Sequence, residues 1–131
     1  MPDFKHIQNA LGTSSWEDEP YGIYFSIPYQ SRELYGSLSG ERADILNIDL
    51  NQLRLITDRL AAVDERAHQL IQKENPDENA AELLLSDLII YANGAFSLGY
   101  DAGESPAGQL YIYAAFNADF SLQPELFYET Y

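Results

Sequence analysis

Hydrophobic and polar residues alternate along several stretches of the chain, which is the pattern of β-strands with one buried face. In residues 22–29, Ile23, Phe25 and Ile27 share one side, and the residues between them lie on the other. Residues 109–116 also alternate, but both sides are apolar enough to predict a strand inside the sheet. The pattern predicts further strands at residues 34–38, 43–48, 87–92, 96–100 and 126–131.

A long amphipathic helix is predicted between Asp49 and Asn75. Asp49 can accept hydrogen bonds from the first turn, and Gln52 stands in the third position of a capping box. Pro76 ends the helix because proline disfavours a helical residue before it. The predicted helix is about 25 residues long. Its apolar residues form one stripe at helical spacing: Leu53, Ile56, Leu60, Val63, Ala67 and Leu70.

Turn signals separate these elements. Asn93–Gly94 predicts a type I′ hairpin turn, because that turn needs positive φ at both central positions. We expect a solvated turn at residues 17–20 and a loop of small residues at 101–108. Short helices are predicted at residues 4–11 and 77–84, and Trp16 is expected to cover one end of the core.

The order of elements predicts one α+β domain spanning residues 1–131. Strands precede and follow the long helix, and short hairpin connections imply antiparallel pairing. We therefore expect an antiparallel sheet of about five to seven strands with one long helix packed on one face. The second face would be covered by a partner, by a second copy, or by tyrosine rings with their hydroxyls in water.

Charge is distributed unevenly along the chain. The 131 residues carry a formal net charge of −14, and 46% of them are hydrophobic, so the charge does not imply disorder. Eleven acids and all seven basic residues lie at or before Lys73, whereas ten acids and no base follow it. The C-terminal half of the chain therefore carries charge of one sign, and its negative field repels nucleic acid and anionic membranes and attracts cationic partners.

The composition excludes several classes of chemistry. The chain has no cysteine, which excludes disulfides, thiolate metal sites and cysteine nucleophiles. It has no apolar run of signal-peptide type and none near the roughly 18 residues of a membrane span. We therefore expect a cytoplasmic protein.

Candidate catalytic and metal-binding residues are few. His68 follows Asp64 by one helical turn, a pair that we interpret as part of a solvated helix face. Asp101, Glu104 and Ser105 could offer oxygen ligands to a hard cation, although acids and glycines are also usual in turns. No phosphate-binding loop, zinc motif or nucleophile elbow is present, so we expect no enzymatic activity, no cofactor and no metal.

One segment is similar to a known group of proteins. Residues 96–113, with the sequence FSLGYDAGESPAGQLYIY, and the terminal FYETY of residues 127–131 resemble small acidic bacterial proteins of unknown function. Some of that group are thought to be immunity proteins of polymorphic toxin systems. The resemblance carries no catalytic motif, and it implies binding to a toxin.

These observations predict a non-catalytic protein that binds a basic protein partner, such as a nuclease-type bacterial toxin. A monomer or weak homodimer is expected, with no nucleic acid or membrane partner. Three alternatives remain open: a structural or regulatory homodimer, a cation site in residues 101–105, and an acidic domain whose charge serves solubility. The expected partner-binding residues are Asp101, Glu104, Asp119, Glu129, Tyr111 and Tyr113.

Overall fold

The structure, a computed structural model, describes residues 4–20, 22–77 and 82–131. Its helices and strands give an α+β fold, which confirms the predicted class. The helices are α1 (Lys5–Leu11), α2 (Arg42–Leu46), α3 (Leu50–Asp58) and α4 (Leu60–Glu74). The strands are β1 (Ser15–Glu19), β2 (Gly22–Tyr29), β3 (Arg32–Ser39), β4 (Leu85–Tyr91), β5 (Phe96–Ser105), β6 (Gly108–Phe116) and β7 (Leu122–Thr130).

Seven strands form one sheet in the order of the chain, from β1 at one edge to β7 at the other. Five of the neighbouring pairs are antiparallel, as short hairpins require, and β3 and β4 run parallel. Helices α2, α3 and α4 make the connection between β3 and β4. A parallel pair needs such a crossover because a tight turn can only reverse the chain.

The hydrophobic core lies between one sheet face and the helices. Its central row follows the strand register from Phe25 through Gly36 and Leu88 to Leu98. A side chain at Gly36 would lie 2.4 Å from the Phe25 ring, so the glycine makes room for that ring. The helices supply the opposite wall with buried residues of the predicted stripe: Leu53, Ile56, Leu60, Val63 and Ala67.

The predicted long helix is interrupted at Arg59. Its backbone leaves helical geometry with φ −102° and ψ 9°, so α3 ends and the 15-residue α4 begins. The apolar stripe continues through the break, and no glycine or proline marks it. Asp49 caps α3 as expected, accepting a 2.9 Å hydrogen bond from the amide of Asn51. Asn75 follows the last residue of α4, which confirms the predicted end of the helix.

Two predictions in the first half of the chain are wrong. Residues 17–20, expected to be a turn, belong mainly to β1, which pairs with β2 through Trp16 and Phe25. The Trp16 ring stacks on Phe25 with centroids 6.3 Å apart, and this packing outweighs the run of acids. Residues 43–48, expected to be a strand, lie mostly in α2. Ile45 within α2 and Ile48 just after it are buried in the core.

The second half differs in its turns. At Asn93–Gly94 only Gly94 has a positive φ, so the hairpin is present but its turn is not type I′. The predicted loop at 101–108 is mostly strand, because β5 continues to Ser105 and β6 begins at Gly108. A bulge near Gly103, whose φ is 86°, absorbs the irregular sequence. The helix predicted at 77–84 falls largely outside the described residues.

The predicted helix at residues 4–11 is confirmed as α1, and the predicted tail strand forms the edge strand β7. Within the described residues, none of the helices has the length and apolar character needed to cross a membrane.

Candidate functional site

The sheet face turned away from the helices is aromatic and largely exposed. We call it the open face. Tyr35 on β3 is 66% exposed, Tyr24 on β2 is 41% exposed, and Phe127 on the edge strand β7 is 50% exposed. No helix of the described residues packs on this face. Its aliphatic and aromatic side chains, assigned by the strand register, are Tyr24, Tyr35, Ile89, Tyr91, Tyr111, Tyr113 and Phe127.

Two grooves of the open face adjoin Tyr113, one on either side of its ring. The first, of about 390 Å³, lies between Tyr91, Tyr113 and Phe127. The second, of about 300 Å³, reaches from Tyr113 to Tyr24 and Tyr35. Aromatic clefts of this kind accept apolar or cationic side chains from a partner protein.

A glycine sets the position of the central ring. Gly99 is buried beneath Tyr113, and a Cβ atom there would lie 2.7 Å from Cε1 of the ring. Because glycine has no side chain, the Tyr113 ring can lie over Gly99 on β5, where it separates the two grooves.

The basic residues lie on the helix side of the molecule and not on the open face. Five of the seven basic residues lie within helices, Arg59 joins α3 to α4, and Arg32 falls on the helix side of β3 in the register. No described residue on the open face is basic. The carboxylates that the register assigns to this face are Glu17, Glu19, Glu33, Asp87, Asp101, Glu104 and Glu129.

The structure brings five of the six predicted partner-binding residues to one end of this face. In the register Asp101 pairs with Tyr111, which in turn pairs with Glu129. Glu104 lies in the same hairpin, opposite Gln109, and Tyr113 follows two residues after Tyr111 along β6.

The terminal residue Tyr131 connects this cluster. Its hydroxyl donates a hydrogen bond to Glu129, and its ring meets the Tyr111 ring edge-on with centroids 5.4 Å apart. Burial, and then the hydrogen bond to Tyr131, raise the pKa of Tyr113 above that of free tyrosine. Tyr113 therefore stays a neutral hydrogen-bonding group throughout the physiological range.

Asp119 is the predicted residue that the structure places elsewhere. It lies in the turn between β6 and β7, at the opposite end of β6 from Asp101. Its carboxylate accepts hydrogen bonds from the amide of Ser121 at 2.9 Å and from the Ser121 hydroxyl at 2.6 Å. These bonds lower the pKa of Asp119 and hold the turn, so we assign it a structural role.

Sequence reasoning did not select Asp87, which lies near the middle of the open face. Burial raises the pKa of Asp87, the hydrogen bond with Ser86 opposes that rise, and the charge of Asp101 adds to it. The alternation of side chains along a strand could have identified it. Asp87 stands an even number of residues from Ile89 and Tyr91, so the three side chains lie on the same face. Those two residues and Asp87 line grooves on the same face.

Two of the three residues considered for a cation, Asp101 and Ser105, form hydrogen bonds within the hairpin. Asp101 accepts a 2.9 Å hydrogen bond from the amide of Gly103 and a further bond from the Gln109 side chain. The Ser105 hydroxyl donates to the carbonyl of Gly108 at 2.8 Å. Among the described residues, no three histidines or carboxylates converge in a way that could hold a metal ion.

The interpretation of Asp64 as part of a solvated helix face is wrong. Asp64 is only 5% exposed and accepts hydrogen bonds from the hydroxyls of Tyr29 at 2.7 Å and Tyr100 at 2.5 Å. His68 Nδ1 lies 3.4 Å from the same carboxylate, and its Nε2 donates to the carbonyl of Leu83 at 2.7 Å. These partners replace the water that a buried carboxylate loses. The cluster joins α4 to the sheet.

Comparisons with protein-family models, with curated proteins and with solved structures found no match to this chain. The resemblance of residues 96–113 and 127–131 to small acidic bacterial proteins of unknown function therefore remains an expectation. Function is inferred from the geometry and charge of the open face.

Proposed function

We propose that the protein binds a basic protein partner through the open face and neutralises it without catalysis, as an immunity protein does to a nuclease-type toxin. The single sign of the charge on the open face carries this proposal. Carboxylates are the only charged groups that the register assigns to the open face among the described residues, and the basic residues lie with the helices.

The chemistry of such a partner matches this surface. A nuclease needs a basic site to attract phosphate, and a one-signed acidic face can cover that site. Electrostatic complementarity mainly accelerates association, whereas buried aromatic anchors slow dissociation. Tyr113 and Phe127 flank the larger groove and are suited to that anchoring role.

A homodimer through the open face is the second candidate, because exposed aromatic residues are typical of interfaces. Such a dimer would bring two faces that carry only carboxylates together, at a net charge of −14 per chain. We therefore expect a monomer of 14.8 kDa by static light scattering at both 20 and 500 mM NaCl. A dimer that forms at high salt would favour the second candidate.

The test begins with affinity capture from the source organism at low and high salt, followed by purification of the retained basic protein. Binding to that protein is then measured for a double variant, Asp101→Lys with Glu129→Lys, by calorimetry and stopped flow. A matched control reverses Asp58 and Glu65, which are exposed on α3 and α4.

We expect the open-face variant to lose at least about tenfold in affinity at low salt, mostly through slower association. The control should change the affinity much less, because Asp58 and Glu65 lie on the helix side and the Coulomb energy falls with distance from the bound partner. Equal effects of the two double variants would contradict the proposal.

A further inference from the structure

The outer edge of β7 has a row of backbone amides and carbonyls that pair with no other strand of the described residues. The hydrogen bonds between β6 and β7 show which residues of β7 these groups belong to. Gln109 and Tyr131 exchange both of their backbone hydrogen bonds, each 3.0 Å long. In an antiparallel pair, hydrogen-bonded and non-hydrogen-bonded residue pairs alternate. The register then places Glu129 and Phe127 in hydrogen-bonded pairs with β6.

The residues between them therefore direct their amides and carbonyls away from β6. These residues are Leu126, Tyr128 and Thr130, on a strand that forms the end of the sheet in the described part of the chain. Together they cover five residues of continuous edge, 126–130.

Natural proteins protect such edges with lysines, prolines, bulges or short strands. The nine-residue β7 has no lysine, and its single proline, Pro124, lies before the unpaired row. The other edge strand, β1, has five residues, and Asp18 within it is bonded to Arg42. The edge of β7 is thus the longer and less protected of the two.

We propose that an extended segment of the basic partner pairs with the edge of β7 as an eighth, antiparallel strand. This inference rests on the proposed function and adds a binding mode to it. Residues directly opposite each other in a sheet share a face, so the segment would alternate in character. Its Lys or Arg residues would lie on the open face beside Glu129, and its apolar residues would lie beside Leu126 and Tyr128.

Charge selects this occupant over a second copy of the chain. Two β7 strands paired in antiparallel fashion would bring Glu125 and Glu129 of both copies to the same edge, and like charges close together on neighbouring strands are destabilising. A basic strand at the same place forms attractive pairs. The exposed side chains Phe127 and Tyr128, about 50% and 49% accessible, offer apolar contact on both faces.

The test uses a synthetic peptide of alternating Lys and Val, eight residues long and capped at both ends. Fluorescence anisotropy measures its binding to the full chain at low salt, beside a matched peptide of alternating Glu and Val. We expect binding of the Lys peptide and none of the Glu peptide. Hydrogen exchange followed by NMR should show slower exchange at the amides of Leu126, Tyr128 and Thr130 on binding.

N-methylation of the peptide separates edge pairing from charge attraction. In antiparallel pairing, Val residues face Tyr128 in hydrogen-bonded pairs, so N-methyl groups on Val remove bonds and N-methyl groups on Lys do not. We expect the Val-methylated peptide to bind at least about tenfold more weakly, since each lost bond costs severalfold in affinity. The Lys-methylated peptide keeps its affinity.

A protein variant gives an independent readout. Tyr128→Pro removes an amide that points away from β6, so the native ladder is kept. Tyr128→Ala is the matched control, because it removes the same side chain and retains the amide. We expect the proline variant to bind the Lys peptide about fivefold more weakly than the alanine variant.

The outcomes separate the two proposals. Equal binding of the two N-methylated peptides, or unchanged exchange at the three amides, would overturn edge pairing whether or not Tyr128→Pro folds. The charge-reversal result with the purified partner would then still stand as support for the open face. Failure of both experiments would overturn both proposals.

Discussion

The hydroxyl of Tyr100 on β5 donates a 2.5 Å hydrogen bond to the carboxylate of Asp64 on α4, and both side chains are buried. The pKa of Tyr100 is raised far above its ordinary value, by burial first and then by the hydrogen bond to Asp64. The tyrosine therefore remains a donor, and the carboxylate keeps a partner in place of water. This bond holds the helical layer on the sheet and leaves the opposite face free.

Tyr100→Phe should destabilise the fold by about 2 kcal/mol, because a hydrogen bond to a buried charged group is lost without other change in shape. Tyr29→Phe, the matched variant, should cost less, since the Tyr29 side chain is only partly buried and water can reach Asp64 in its place. Urea unfolding monitored by circular dichroism measures both. A Tyr100→Phe variant as stable as the original protein would show that the bond adds no stability.

Asp87 predicts a pH dependence of stability with a defined sign. Its pKa is raised from 3.8, chiefly by burial, so the folded state binds a proton more readily than the unfolded chain. The stabilising contribution of Asp87 to folding is fully present below its pKa in the unfolded chain. It is lost as the pH rises through its pKa in the folded state. Asp87→Asn should therefore be more stable than the original protein at pH 7, with a difference that shrinks toward pH 3.8.

Thermal unfolding of both proteins at several pH values gives this difference directly. Hydrogen bonds lower the pKa values of Asp18 and Asp119, so these two groups change the stability with pH in the opposite direction. Their contributions are the same in the variant and in the original protein, and they cancel in the difference. A difference that grows as the pH falls would contradict the assignment.

Two glycines on opposite faces of the sheet should respond differently to alanine. At Gly36 the new Cβ would lie 2.4 Å from the Phe25 ring, which is 3% exposed and held in the core. Gly36→Ala should cost about 1–3 kcal/mol, as overpacked cores do.

At Gly99 the Cβ would meet the Tyr113 ring, which is only partly buried and has an open face to move into. Gly99→Ala should cost less stability, but it should displace Tyr113 and weaken binding of the basic partner. Urea unfolding and calorimetry separate the two effects. The expectation fails if Gly99→Ala destabilises as much as Gly36→Ala and leaves binding unchanged.

Alternation in the sequence predicted the strands and their faces well, because one face of each strand is tied to the core. The phase of Ile23, Phe25 and Ile27 correctly assigns Tyr24 to the open face. The register of β5, β6 and β7 places Asp101, Tyr111 and Glu129 side by side on that face, although they are far apart in sequence.

What the sequence could not supply was context that depends on distant residues. The break at Arg59 carries no glycine or proline, and β1 forms despite its acids because Trp16 packs on Phe25. The helical spacing of Asp64 indicates a solvated residue, because the hydrogen bonds from Tyr29 and Tyr100 that replace water come from distant strands of the sheet. The location of Asp119 depends on which end of β6 its turn occupies. The alternation of hydrophobic and polar residues predicts the face of a residue but not the end of the sheet at which it lies.

Gln52 shows the same limit and supports a last prediction. It was expected to complete a capping box with Asp49, but its side-chain amide donates to the carbonyls of Gly94 and Ala118, each at 2.9 Å. One side chain thus ties the start of α3 to the β4–β5 and β6–β7 turns. Gln52→Ala should cost about 1–2 kcal/mol, as expected for two modest hydrogen bonds.

The matched variant is Gln52→Glu, which preserves the length of the side chain but replaces the donor by an acceptor facing two carbonyls. It should be at least as destabilising as Gln52→Ala, whereas a true capping box would accept Glu without loss. Urea unfolding ranks the two variants, and exchange should accelerate in both at the amides of Gly94 and Phe120, which close the two turns. A Gln52→Glu protein as stable as the original would mean that Gln52 acts as a cap and that the two turns hold without it.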